Sequence, residues 1–121
     1  MDLNFDNERP IYIQLVEKLK ILIVSGVYQS GTRIPSVREL ALKYKVNPNT
    51  MQKALEKLEE DKLIYTERTN GKFVTTDKKI IESIQQELAK SKTKEYIEAM
   101  QALGIDIKKI VKLLQDIGGI K

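Results

Sequence analysis

Two helix starts stand so close together in this chain that only one tight turn fits between their helices. Pro35-Ser36-Val37-Arg38-Glu39-Leu40-Ala41 opens the first, and Val46-Asn47-Pro48-Asn49-Thr50 opens the second. Local chemistry specifies each one. Ser36 and Glu39 have the spacing of a capping box, in which the hydroxyl accepts from the Glu39 backbone N–H and the carboxylate accepts from the Ser36 amide. Asn47 is a favoured N-cap residue, and Pro48 then falls at the first helical position, where a missing N–H costs nothing. Two short helices joined in this way form a helix-turn-helix, whose second helix is shaped to enter a DNA major groove.

The faces of the two helices agree with that reading. Val37, Leu40, Ala41 and Tyr44 follow at helical spacing in the first, and Met51, Ala54, Leu55 and Leu58 form one apolar stripe in the second. The opposite face of the second helix carries Asn49, Gln52, Lys53 and Glu56. Asn and Gln pair bidentately with adenine, and Lys reaches guanine or phosphate. Arg38, on the first helix, has the reach for a guanine edge or a backbone phosphate.

The flanking segments supply the rest of a small domain. Residues 1–9 are polar and read as extended, and Pro10 suits the start of a helix running to about residue 25, with Ile11, Leu15, Val16, Leu19, Leu22 and Ile23 on its apolar side. Gly26 is a natural stop, and 27–34 reads as a loop with Gly31 in its turn. After the second motif helix, 64–68 and 72–75 read as two strands, with Asn70-Gly71 as a tight hairpin turn in which both positions tolerate positive φ. This hairpin is a wing. Arg68 and Lys72 stand near its tip, and the bare Gly71 allows close approach to a groove or a phosphate.

From Asp77 the pattern changes. Residues 77–103 read as one long helix with Ile80, Ile81, Ile84 and Leu88, then Tyr96, Ile97, Met100 and Leu103; across the polar stretch 90–95 the stripe weakens, which is a place for a bend or break. Gly104 ends it, and Asp106 caps a further helix with the stripe Ile107, Ile110, Val111, Leu114 and Ile117, stopped by Gly118-Gly119. Two amphipathic helices of this size cannot bury their apolar faces on each other alone. Ile80, Ile84, Leu88, Ile107, Ile110 and Leu114 are therefore candidates for a homodimer interface. The expected fold is mainly α with a small β-hairpin: a winged helix-turn-helix over 9–76, followed by a two-helix dimerisation tail over 77–121.

Composition narrows the chemistry. A chain of 121 residues with 41% hydrophobic residues buries a modest core, and a net charge of +4 permits a nucleic-acid partner without proving one. His and Cys are absent, which removes the commonest general base and the thiol nucleophile. The carboxylates of Glu56, Glu59, Glu60 and Asp61 fall on a solvated helix face, and no phosphate-cradling loop, calcium loop or HExxH occurs. No enzyme activity, cofactor or metal is expected. There is no apolar stretch of 18 residues and no basic start leading into an apolar run, so no membrane partner is expected and the cytoplasm is the default location.

Taken together, these residues resemble the DNA-binding domain of the GntR family of bacterial transcription regulators, and above all its small YtrA-type branch. The resemblance rests on Pro10-Ile11-Tyr12, Gly26, Gly31, the Pro35–Ala41 and Val46–Thr50 runs, Leu58-Glu59, Leu63-Ile64 and Gly71-Lys72-Phe73-Val74. It implies a winged helix-turn-helix, a homodimer and a palindromic double-stranded DNA operator, with repression the commonest outcome. The DNA-binding candidates are then Ser36, Arg38, Asn47, Asn49, Thr50, Gln52, Lys53, Arg68, Gly71 and Lys72. The short tail resembles the branch's dimerising tail; it is too short for a typical ligand domain, which leaves the dimer interface as the place for a small-molecule effector, unknown in kind. Three departures matter. The family usually carries Gly where Lys62 stands, and Lys there costs roughly 1 kcal/mol if the left-handed turn is kept. Larger branches place Arg where Pro48 and Gln52 stand, so those base contacts do not transfer. Thr69 and Asn70 replace other wing residues. The competing reading is a winged-helix protein-interaction module. That use favours exposed apolar or aromatic residues on the Asn47 helix, where the sequence instead has Asn49, Gln52 and Lys53.

Overall fold

The computed structural model describes Phe5 and residues 7–119; most of the N-terminal run read as extended lies outside the described residues. Element order is α1 (Ile11–Val24), α2 (Val37–Tyr44), α3 (Pro48–Glu60), β1 (Ile64–Glu67), β2 (Gly71–Val74), α4 (Lys78–Ala102) and α5 (Ile107–Gly118). The fold is mainly helical with one two-stranded antiparallel hairpin, as the sequence pattern requires. The described residues form two compact units, divided between Gln85 and Gln86.

The first unit is built around α3. Its Met51, Ala54, Leu55 and Leu58 are fully buried, and they meet Leu15, Leu19 and Ile23 of α1 and Leu40 and Ala41 of α2 in one core. Of the residues read with the apolar side of α1, Ile11 stays exposed and Leu22 is only partly buried. Gln14 is buried instead, because its side-chain amide donates to the Arg9 carbonyl at 2.9 Å. Pro10 stands at the cap of α1 rather than in its first turn, with ψ at 138°. Lys20 of α1 pairs with Asp61, just past α3, at 3.3 Å.

The hairpin pairs Ile64 with Val74, Tyr65 with Phe73, Thr66 with Lys72 and Glu67 with Gly71. Ile64 and Val74 are buried and close the core beneath α3, whereas Tyr65 and Phe73 stack on the other face with ring centroids 5.8 Å apart. The turn differs from the sequence expectation. Arg68, Thr69 and Asn70 form a three-residue loop, and only Gly71 takes a positive φ, at 103°. Asn70 is held instead by Glu67, whose carbonyl accepts its N–H and whose carboxylate accepts its side-chain amide, both at 3.1 Å. The segment before α2 is also more ordered than a plain loop. Ile34 N–H donates to Lys72 O and Val74 N–H donates to Thr32 O, each at 2.9 Å, so that Arg33 bridges to Phe73 along the free edge of β2.

Thr75 ties the wing to α4: its hydroxyl accepts from Asp77 N–H at 3.1 Å, and the Asp77 carboxylate then caps the helix through Lys79 N–H. In its first turns α4 lays Ile80, Ile81 and Ile84 against the core of the winged unit. It continues without a break to Ala102, through the polar stretch that offers a place for one. Lys, Glu, Ala and Gln are strong helix formers, and their propensity carries the helix where the apolar stripe lapses.

In the second unit Asp106 caps α5, accepting from Lys109 N–H at 3.0 Å, and Gly119 ends it in the left-handed conformation. Ile110 is buried, but Ile107, Val111, Leu114 and Ile117 of the same stripe remain exposed.

Candidate nucleic-acid interface

The two helix starts form as their residues dictate. Ser36 Oγ accepts from Glu39 N–H at 3.1 Å, and Glu39 Oε1 accepts from Ser36 N–H at 3.2 Å. The Ser36 N–H, and after it the Ser36 hydroxyl, hold the Glu39 carboxyl below the usual carboxylate range, and the charge of Arg33 adds to them. At the second start Asn47 Oδ1 accepts from Asn49 N–H at 2.8 Å, with Pro48 at the first helical position. The turn between them is closed by Lys45, which adopts a left-handed conformation (φ 55°), and by the Val46 N–H donating to Ala41 O at 3.0 Å.

With its apolar stripe fixed in the core, α3 has no freedom in what it shows outward. Asn49 is exposed, Thr50 and Gln52 are half-buried, and Lys53 is exposed. Two of these side chains already have partners. The Gln52 amide donates to Glu56 Oε1 at 3.1 Å, and the Lys53 ammonium lies 4.0 Å from the ring centre of Tyr12 on α1. A cation over an aromatic face at an exposed site gains about 0.5–1 kcal/mol, which orders Lys53 without neutralising it. Ser36 and Asn47 spend their acceptor oxygens on caps, but the Asn47 amide remains a donor.

Across from α2 stands the wing, and one groove is lined by both. It brings together Ser36 and Arg38 from the helix-turn-helix with Arg68, Gly71 and Lys72 from the hairpin. Arg38 and Arg68 are exposed. Lys72 is not at the tip: its ammonium donates to Thr66 Oγ1 at 2.9 Å and meets Glu59 Oε1, at the end of α3, at 3.4 Å, with only 18% of its side chain exposed. The Thr66 hydroxyl also donates to Glu59, and this bond, followed by the Lys72 charge, lowers the Glu59 pKa from its ordinary value.

Sequence reasoning passes over Arg33. It lies in the same groove, exposed, with its guanidinium packed over Gly71: a Cβ on Gly71 would sit 3.0 Å from the Arg33 Nε. The bridge from Arg33 to Phe73 puts it there, and nothing local announces that bridge. Among the described residues no group of carboxylates is arranged to hold a metal ion, and no helix is long and apolar enough to cross a membrane.

A cation-lined groove between a helix-turn-helix and a wing defines the winged-helix class, and known proteins make the assignment narrower. Residues 11–74 match the family model of bacterial regulatory proteins, gntR family, and the chain belongs to that family. It is 32% identical to the HTH-type transcriptional repressor YtrA of Bacillus subtilis (strain 168), over 89% of this chain and 84% of that one. A solved GntR family transcriptional regulator from Listeria monocytogenes superposes with a TM-score of 0.84 at 44% identity, over 93% of this chain and 98% of the other. The AraR DNA-binding domain, solved in complex with operator ORX1, superposes with a TM-score of 0.54 at 27% identity, over 62% of this chain and 93% of that one.

Proposed function

We propose that this chain is a sequence-specific DNA-binding transcription repressor that binds a palindromic operator as a homodimer. The observation that carries this reading is the placement of Asn49, Thr50 and Gln52 on the outward face of a rigidly capped α3, beside the groove where Arg38 faces Arg68 of the wing. The likeness to a domain solved on its operator supports it. Asn49 and Gln52 read base edges from the first turns of α3, Gln52 by exchanging Glu56 for an adenine, and Thr50 adds a hydroxyl or methyl contact. Arg38 reaches a guanine or a phosphate. Ser36, Asn47, Lys53 and Arg68 hold the backbone, Gly71 admits it, and Lys72 adds positive potential from the wing's inner face. A small-molecule effector, if the protein has one, acts at the dimer interface, and the protein works beside the chromosome in the cytoplasm. No cofactor enters this function.

The test is selection of bound duplexes from a random pool, followed by titration of the selected site and a scrambled one. A preference for a palindrome with half-sites about one helical turn apart, roughly 10 bp, is the expected outcome. Equal affinity for both duplexes overturns sequence-specific recognition.

A further inference from the structure

The groove between α2 and the wing holds a cation whose setting differs from the others. The backbone of Arg33 is fixed on both sides, by the Val74 N–H to Thr32 O bond and by the Ile34 N–H to Lys72 O bond, and the buried Ile34 stands next to it. Its guanidinium packs against the one place on the wing without a side chain, with Nε, Cζ and Nη2 at 3.0, 3.5 and 3.6 Å from where a Gly71 Cβ would stand. The charge acts on the Glu39 carboxylate of the capping box. That carboxylate is already occupied by the Ser36 amide at 3.2 Å, and among the described residues no side chain forms an ion pair or hydrogen bond with the Arg33 guanidinium. Arg33 is therefore an oriented planar fork with open donors, in a groove it shares with Arg38 and Arg68.

A planar fork with open donors matches a phosphate bidentately. We infer that Arg33, seated on Gly71, is a phosphate-binding residue that holds the DNA backbone between α2 and the wing. The inference rests on the DNA-binding reading above and adds to it a residue and a reason for Gly71. Arg33 positions the duplex and reads no base, so its contribution is the same on every sequence. Gly71 serves twice: its positive φ starts β2, and its missing side chain is the seat of the guanidinium.

The experiment compares the full chain with Arg33→Ala and Arg33→Lys on a duplex that the wild-type protein selects from a random pool, and on an unrelated duplex of equal length, across a salt series. Arg33→Ala is expected to weaken both duplexes to a similar degree, about tenfold near 0.1 M salt, and to make the slope of log affinity against log salt shallower by about one. Arg33→Lys keeps the charge but not the fork; it is expected to restore the salt slope and only part of the affinity. Circular dichroism melts establish that both variants fold, since Arg33 is exposed. If the wild-type chain binds the selected duplex and Arg33→Ala matches it in affinity and salt slope, the inference is overturned while the DNA-binding reading stands. A loss confined to the selected duplex makes Arg33 a base reader and overturns the phosphate assignment. Failure of the wild-type chain to bind any duplex removes the parent reading and this one with it.

Discussion

Lys62 shows at a single residue how the fold holds against a local preference. It takes φ 63°, with its own N–H donating to Glu59 O and the Leu63 N–H donating to Leu58 O, both at 3.0 Å. That is the paired-bond helix stop usually built on glycine, kept here with a lysine. The two bonds and the buried Leu63 hold the turn against a left-handed penalty of about 1–2 kcal/mol. Lys62→Gly is expected to stabilise the winged unit by roughly 1 kcal/mol, read as a higher denaturation midpoint; no change would show that the turn carries no strain. Arg38 is the opposite case, an exposed side chain with no ion pair or hydrogen bond among the described residues. Arg38→Ala should leave the melt within about 0.5 kcal/mol and weaken binding to a selected operator by about 1–3 kcal/mol. Unchanged affinity in fluorescence anisotropy would place Arg38 outside the interface. Both residues stand out in the sequence because their settings are local: a position after a helix, and a position in a capped first turn. Arg33 does not, because its setting depends on a strand edge some 40 residues further on.

At the scale of elements, the parts legible in the sequence are those whose own residues satisfy their backbone. The capping box at Ser36 and the Asn47-Pro48 start are of this kind, and both form as their spacing requires. Ser36→Ala removes one acceptor from the first turn of α2 and should cost about 1 kcal/mol, measured by urea denaturation; Ser36→Asp, which keeps a cap, should recover most of it. The hairpin is legible only in part. Asn-Gly points to a two-residue turn, but Glu67 accepts from both the backbone N–H and the side-chain amide of Asn70, and Gly71 is spent on Arg33 as well as on φ. The link from wing to α3 through Glu59, Thr66 and Lys72 has no local signature at all, since it joins residues on three elements' edges. It carries a pH dependence. The Glu59 carboxyl is held below its ordinary value of 4.5, first by the Thr66 hydroxyl and then by the Lys72 charge. A depressed folded-state pKa means that the ionised form favours the folded wing, so the contribution is present above the ordinary value and is lost as pH falls through the lowered one. The wing's Thr66 and Lys72 resonances should therefore shift together on acid titration below the usual carboxylate range. Glu59→Gln should show the acid-side spectrum at neutral pH, and an unaltered spectrum would mean that the link does not order the wing.

For the molecule as a whole, the unfinished surface is in the second unit. On α5, Ile110 is 1% exposed, whereas Ile107 is 51%, Val111 47%, Leu114 48% and Ile117 84% exposed. A stripe of this kind left open in water supports the homodimer proposed above. The stripe on α4 is divided in its use: Ile80 and Ile84 pack partly on the winged core, and Leu88, beyond the division at Gln85, is half-buried. The interface proposed for a homodimer therefore draws on α5 more than on the start of α4. A C2 dimer through α5 would place Val111 and Leu114 of each protomer on a self-complementary patch. The full chain should then run as a dimer at micromolar concentration in light scattering. Val111→Glu combined with Leu114→Glu puts charges into that patch while leaving the winged core untouched, and the variant should be monomeric with an unchanged wing spectrum. Its affinity for a full palindrome should fall towards that for a single half-site, because two tethered heads gain about 10²–10⁴ from effective concentration that one head lacks. Affinity for the isolated half-site should be unaltered, which separates lost pairing from a damaged reading head. A doubly charged variant that stays dimeric would move the interface off α5. A wild-type chain that is monomeric, yet prefers the palindrome to the half-site by the same factor, would mean that the DNA itself brings the two heads together.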